Sequence, residues 1–394
     1  MQHRRALTPT YAAFPIDEHR ERLARARSAL RAAGFDGCVS VAPEHHYYLA
    51  GYDSWVGVNC PQALVFGTDD GAPVLVVRDV DRPLAAETSW VDDVRTYRLH
   101  DEDPALAIAA AAKSAGLGQG RLGVEAQSYA LSYAFGVRLA AALRPATIDD
   151  ATAILGELRV IKSAREMVYL GRAARHAAAG LAAFRANAKA GTTEIALAGA
   201  IERALRDSGG DYGSIPTELA GGPRSAGGHA TPLARAIAPG DLVHAEFAGV
   251  ERRYHAVAIH TVAAGAPRPV QHELYEAARA SLAAGIAAVA PGVPVDAVEE
   301  ASLVPLRAVG LEQHAMMRFG YGIGIAYPPI WLETLQITRG LRRTLEPGMV
   351  FVLHACLEIA EDGLGVVQGG TYALTESGLT MLVGGGDVPL DVIA

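Results

Sequence analysis

The chain has 394 residues, half of them apolar, with 35 Lys and Arg against 43 Asp and Glu and a formal charge of −8. That length favours two domains, each with a sizeable core, and the acids and bases are mixed, with no basic block of the kind that meets nucleic acid or an anionic membrane. The three cysteines, Cys38, Cys60 and Cys356, lack a CxxC spacing; they fit free thiols in a reducing cytoplasm and supply no thiolate metal site.

Met1-Gln2-His3-Arg4-Arg5 is followed by no apolar run, so a secretory signal is not expected. No segment is long and apolar enough to span a bilayer. Leu23, Ala26 and Leu30 at helical spacing predict a helix over 16–33, ended by Gly34. A short strand over 37–41 and a short helix up to Gly51 follow. Strands over 63–66 and 73–77 flank the turn Thr68-Asp69-Asp70-Gly71. Helices and strands keep alternating through Leu122-Gly123-Val124-Glu125 and an Ala-rich helix near 129–143, which makes residues 1–155 an α/β domain.

Residues 156–394 form the second domain, and the class of the whole is α/β (α+β). Ser163 with Glu166 is a capping-box start to a long Ala-rich helix, and Gly191-Thr192-Thr193-Glu194 caps another. A Gly- and Pro-rich stretch containing Gly227-Gly228-His229 leads into two strands, 240–249 and 254–261, with Val250-Glu251-Arg252-Arg253 as their turn. Alternation puts His244 and Glu246 on one face of the first. A carboxylate on an otherwise apolar strand needs a buried partner or a ligand. Helices over 271–290 and 294–309 and strands near 319–327, 350–358 and 366–374 complete the chain.

From Ile161-Lys162-Ser163 onward, this domain resembles the catalytic domain of the creatinase/prolidase/methionine aminopeptidase superfamily, the pita-bread fold. The landmarks occur in order: Gly228-His229, Gly240-Asp241-Leu242-Val243, Gly320-Tyr321-Gly322-Ile323-Gly324, Leu345-Glu346-Pro347-Gly348-Met349 and Thr375-Glu376-Ser377-Gly378. Tyr48-Leu49-Ala50-Gly51-Tyr52 resembles the N-terminal domain that creatinases and prolidases carry. Metallopeptidases of this superfamily hold two metal ions with two Asp, one His and two Glu. The resemblance places Glu246, Val257, Tyr321, His354 and a position at or next to Gly369 where those ligands stand. Oxygen-rich cation sites cannot be built from such a set, so no metal and no cofactor are expected.

The loss pattern resembles the metal-free branch that includes creatinase and ectoine hydrolase. The segment from Gly320-Tyr321 to Tyr327-Pro328-Pro329-Ile330-Trp331 with Glu333, and the strand pair around Glu246, resemble the ectoine hydrolases most. The resemblance implies hydrolysis of a C–N bond at an amidine-like carbon. It assigns His229 as acid/base, because an imidazole with an ordinary pKa near ~6.5 can both take and give a proton at neutral pH. Glu246 is either nucleophile or partner of an organic cation, and His354 is a third candidate. Tyr52, Trp55, Tyr254, His255, Arg318, Tyr321, Tyr327, Trp331 and Glu333 are the candidate substrate contacts. A homodimer is implied, with Tyr52 and Trp55 of the first domain covering the partner's site. Three alternatives stand beside this reading: a creatinase-like amidinohydrolase or a biosynthetic relative, an Xaa-Pro metallopeptidase, and a non-catalytic binding module.

Overall fold

The computed structural model describes residues 9–316, 318–385 and 387–394; the arginine-bearing start, Met1 to Arg5, lies outside them. The chain divides into two compact units at Arg159/Val160. No helix among the described residues is long and apolar enough to cross a membrane.

The first unit is one mixed sheet with helices α1 (Ile16–Ala32), α2 (Pro43–His45), α3 (Arg82–Thr88), α4 (Pro104–Ser114), α5 (Tyr133–Leu143) and α6 (Thr152–Glu157). Its strands are β1 (Gly37–Ser40), β2 (Ala63–Gly67), β3 (Val74–Arg78), β4 (Asp93–Tyr97), β5 (Arg121–Val124) and β6 (Thr147–Asp150), in the order β4-β3-β2-β1-β5-β6. Asp103 and Ser132 cap α4 and α5 through their side-chain oxygens, and Ala105, Ile108, Ala109 and Ala112 pack α4 on the sheet.

The second unit contains α7 (Ala164–Asn187), α8 (Glu194–Asp207), α9 (Pro269–Ala288) and α10 (Val295–Ala308). Its strands are β7 (Glu218–Gly221), β8 (Asp241–Glu251), β9 (Tyr254–Ala264), β10 (Ala315–Met316), β11 (Gly320–Tyr327), β12 (Ile330–Ile337), β13 (Val350–Ile359), β14 (Leu364–Thr375), β15 (Gly378–Gly384) and β16 (Asp391–Ile393). The capping box Ser163/Glu166 starts α7, and Thr193 caps α8. The sheet runs β12-β11-β13-β14-β9-β8-β7, and β11 also pairs with β9 at Ile325↔Tyr254. That extra pairing closes β9, β14, β13 and β11 into a ring and curves the sheet.

The hairpin of β8 and β9 is tighter than the sequence suggests. Arg252 and Arg253, at φ 50 and 66, make a two-residue turn, and the strands run on to Glu251 and Tyr254. Positive φ at both central positions is the turn whose twist matches a strand pair. The register is therefore Glu246↔Ile259, with Val257 opposite Ala248. One face of the hairpin, carrying Ala245, Phe247, Ala256 and Ala258, packs against Ala173, Ala177 and Leu205 of α7 and α8. Gly249 sets the approach: a Cβ there would meet the Ala173 carbonyl and the Ala177 nitrogen at 2.2 Å. Gly171 of the same helix has open space around it.

Gly249→Ala is therefore expected to lower stability by about 1–3 kcal/mol through overpacking. Gly171→Ala is expected to raise it by about 0.5–1 kcal/mol through helix propensity. Urea unfolding of the two variants checks the pair of opposite signs.

Candidate active site

Glu246 lies mid-strand in β8, on the face away from α7, and is 9% exposed. Its register partners carry one row across the curved sheet: Glu218 on β7, Glu246 on β8, Ile259 on β9, Gly369 on β14 and His354 on β13. Cross-strand partners share a face, so Glu218, Glu246 and His354 project to one side.

A short relay orients Glu246. The Tyr321 hydroxyl donates to its Oε1 at 2.9 Å, and Trp331 Nε1 donates to the Tyr321 oxygen at 3.1 Å. An indole can only donate, so the phenol proton is directed at the carboxylate. Burial pushes the Glu246 carboxyl up to about 7, against the opposing effect of the Tyr321 hydrogen bond. Burial, and then the Glu246 charge, push Glu218 up to about 8. Among the described residues no lysine or arginine pairs with either acid. Sequence reading missed Glu218. Its strand has four residues behind Pro216, too short for an alternation signal, and only pairing with β8 reveals it.

His354 is 4% exposed, its ring centroid is 5.8 Å from that of Tyr321, and its Nδ1 has no hydrogen-bond partner. Burial first, then Arg318 and His229, lower its pKa to about 4, so the ring is neutral at pH 7. His229 sits in an exposed turn, close enough to His354 to act on it. Its loop is tied down on both sides. Gly228 N–H donates to Glu358 Oε1 at 2.8 Å, and Leu219 N–H donates to the Ala230 carbonyl at 3.0 Å. Glu358 Oε1 also accepts from the Cys356 thiol at 3.5 Å. His354, Cys356 and Glu358 alternate along one face of β13, so Glu358 holds the His229 loop over it. His244 donates from Nε2 to the Ser225 carbonyl at 3.1 Å and holds the segment before that loop.

Other candidate contacts lie apart from this cluster. Tyr254 is on the helix-covered face of the hairpin, where its hydroxyl donates to Glu166 Oε1 at 2.9 Å and its ring stacks on Tyr169. Glu333, in β12, pairs with Lys162 at 2.5 Å, both buried, on the glycine side of β11 where a Cβ on Gly324 would meet it. His255 is on the Glu246 face beside Trp331, but both of its nitrogens are engaged. Its Nε2 accepts from Ser214 N–H at 3.1 Å, so Nδ1 carries the proton and donates to the Arg253 carbonyl at 2.8 Å. Tyr327 has the Arg253 guanidinium 5.6 Å from its ring centroid. Arg318 is exposed at the edge, donating to Gln336. In the first unit, Tyr52 is buried beside the His46 ring, while Trp55 is 52% exposed.

The metallopeptidase family M24 model matches residues 169–376, and the creatinase/prolidase N-terminal domain model matches residues 22–161. An uncharacterized hydrolase/peptidase of Sinorhizobium fredii is 28% identical over 93% of this chain and 95% of its own. The ectoine hydrolase of Halomonas elongata is 28% identical over 94% of this chain and 96% of its own. The crystal structure of dipeptidase PepE from Mycobacterium ulcerans superposes with a TM-score of 0.83 at 26% identity, over 96% of this chain and 99% of that one.

The metal pair implied by the family name does not fit these residues. Of the five ligand positions, only Glu246 presents a carboxylate. Val257 is apolar, and Tyr321 has committed its proton to Glu246. At Gly369 a Cβ would sit 2.4 Å from the Leu353 carbonyl and 2.6 Å from the Cβ of His354, so the neighbouring strand leaves no room for a side chain there. Among the described residues no group of three or more His, Cys, Asp or Glu is placed to hold a metal ion.

The raised Glu246 pKa makes folded protein bind more protons than unfolded protein between the ordinary value of 4.5 and about 7. Stability therefore falls as pH rises through that window. Glu246→Gln is expected to melt about 3–8 °C above the parent at pH 8 and level with it near pH 4. Calorimetric melts at the two pH values check this.

Proposed function

Because the chain belongs to the metallopeptidase M24 family while its ligand positions keep a single carboxylate, we propose that it is a metal-independent hydrolase of a small cyclic amidine or amide, with ectoine as the type substrate. The coarser statement, a hydrolase of this family, rests on the relatives themselves. The observation that carries the finer reading is Glu246. It is a buried carboxylate, hydrogen-bonded by a neutral phenol and, among the described residues, paired with no protein cation. A planar amidinium, with N–H donors on adjacent nitrogens, supplies the missing counter-charge.

In this reading Glu246 holds the amidinium and polarises its central carbon. His229, exposed and held over the same face, takes a proton from the attacking water. The new C–O bond forms at that carbon as one of the water protons passes to His229. One ring C–N bond then breaks as the His229 proton goes to the departing nitrogen, and the remaining hydroxyl proton is lost to solvent or to the released amine, leaving an amide carbonyl. Neutral His354 and the Tyr321–Trp331 pair shape the pocket without adding positive charge that would compete with the substrate. Arg318, at the edge, suits the carboxylate such a substrate carries. In a homodimer, the partner's Trp55, a residue exposed in the first unit, would cover the site.

Chelator-treated protein is expected to open the ectoine ring, followed by proton NMR. Glu246→Ala and His229→Ala should each lose about 100-fold or more in kcat/KM, the usual scale for an acid/base or charge-holding group. Absence of turnover with ectoine, creatine and other guanidino acids, together with Xaa-Pro cleavage on adding manganese or cobalt, would sink the proposal.

A further inference from the structure

Glu218 is a carboxylate that the family resemblance does not single out, and it faces Glu246 directly across the β7–β8 pair. Residues directly opposite in such a pair have Cβ atoms about 4.5–5.5 Å apart. Glu246 is buried and Glu218 partly so; among the described residues no lysine or arginine pairs with either, and two carboxylates so close disfavour both carrying charge without a further cation. The neighbouring elements supply none. Tyr321 from β11 gives a neutral phenol, and burial holds its pKa well above the usual tyrosine value. His354 from β13 is held neutral by burial, and its Nδ1 stands unpartnered beside the Tyr321 ring. Cys356, also on β13, is kept as a thiol by burial and by the charges of Glu358 and Glu246. Glu358 is occupied by Gly228 and Cys356. Arg318 is bonded to Gln336, and His229 is the exposed loop residue over this face.

We propose that Glu218 and Glu246 form one proton-holding pair, which receives the planar N–C–N cation of the substrate and gives up a proton as it does so. The inference rests on the function proposed above for the chemistry of the ligand, and on the strand register for the pair. The balance is simple. The free pair keeps a proton and one negative charge. The complex holds two carboxylates against one cation, and the proton passes to solvent. No redox step or co-reactant is involved. Each acid faces one N–H edge of the amidinium, so the pair selects a protonated, planar diamino carbon over a neutral amide and over a single ammonium.

The test is isothermal titration calorimetry of the full chain with acetamidinium at pH 7, in buffers of differing ionisation enthalpy. The slope is expected to report about one proton released per cation bound, falling towards none at pH 9.5. Glu218→Gln should weaken binding by about 10–100-fold and remove most of the buffer dependence. Glu376→Gln, at an exposed turn of the same unit, should leave both unchanged and controls for net charge. Far-UV circular dichroism of Glu218→Gln establishes that it is folded. A buffer-independent enthalpy in the parent, no acetamidinium binding, or a folded Glu218→Gln with parental affinity and proton release each overturns the pair. Proton-linked binding without ectoine turnover leaves the pair standing and removes the hydrolase reading; turnover without proton release does the reverse.

Discussion

The organising constraint is a carboxylate without a counter-ion. Burying Glu246 costs several kcal/mol unless the acid is neutralised or paired, and the surrounding sequence does neither with a basic side chain. The fold keeps it in place by geometry: β8 fixes its height and β11 closes onto β9 so that Tyr321 reaches across to it. Trp331 then directs the phenol proton. The apolar Val257 and the neutral His354 keep the pocket free of cations that would fill the vacancy. In the function proposed above, a cationic substrate supplies the missing counter-charge.

The same scaffold serves metallopeptidases, which shows how a site can change while its fold persists. Glu246, Gly369 and His354, at or beside positions where the resemblance places ligands, lie in one row across the sheet. Gly369 illustrates the constraint: a Cβ there would meet the Leu353 carbonyl and the Cβ of His354, so β14 carries no side chain at this point of the row. Glu358, two residues further along one face of β13, accepts from a backbone N–H of the His229 loop.

Much of this was legible in the sequence. Strand alternation put His244 and Glu246 on one face of β8, and the capping box marked the start of α7. Alternation also contained the position of Tyr254. Counting across either a four-residue or a two-residue turn puts it on the face opposite Glu246, where α7 lies. The turn itself was harder, because two arginines at positive φ lack the usual Asn or Gly signal. Glu218 and the ion pair of Glu333 were hidden for a different reason. Each depends on a partner distant in sequence, Glu246 for one and Lys162 for the other, and no local period encodes such a pairing. The Lys162–Glu333 pair is 171 residues apart and buried, so only the closed sheet reveals that this acid is already satisfied.

The most direct test of the central claim is a crystal structure of the protein grown with ectoine, with anomalous data collected at the manganese and zinc edges. The account predicts the amidinium edge-on to Glu246 and Glu218, within hydrogen-bond distance of both, and no anomalous peak in the site. A metal peak ligated by Glu246 and His354, or ectoine bound away from the two carboxylates, would contradict it.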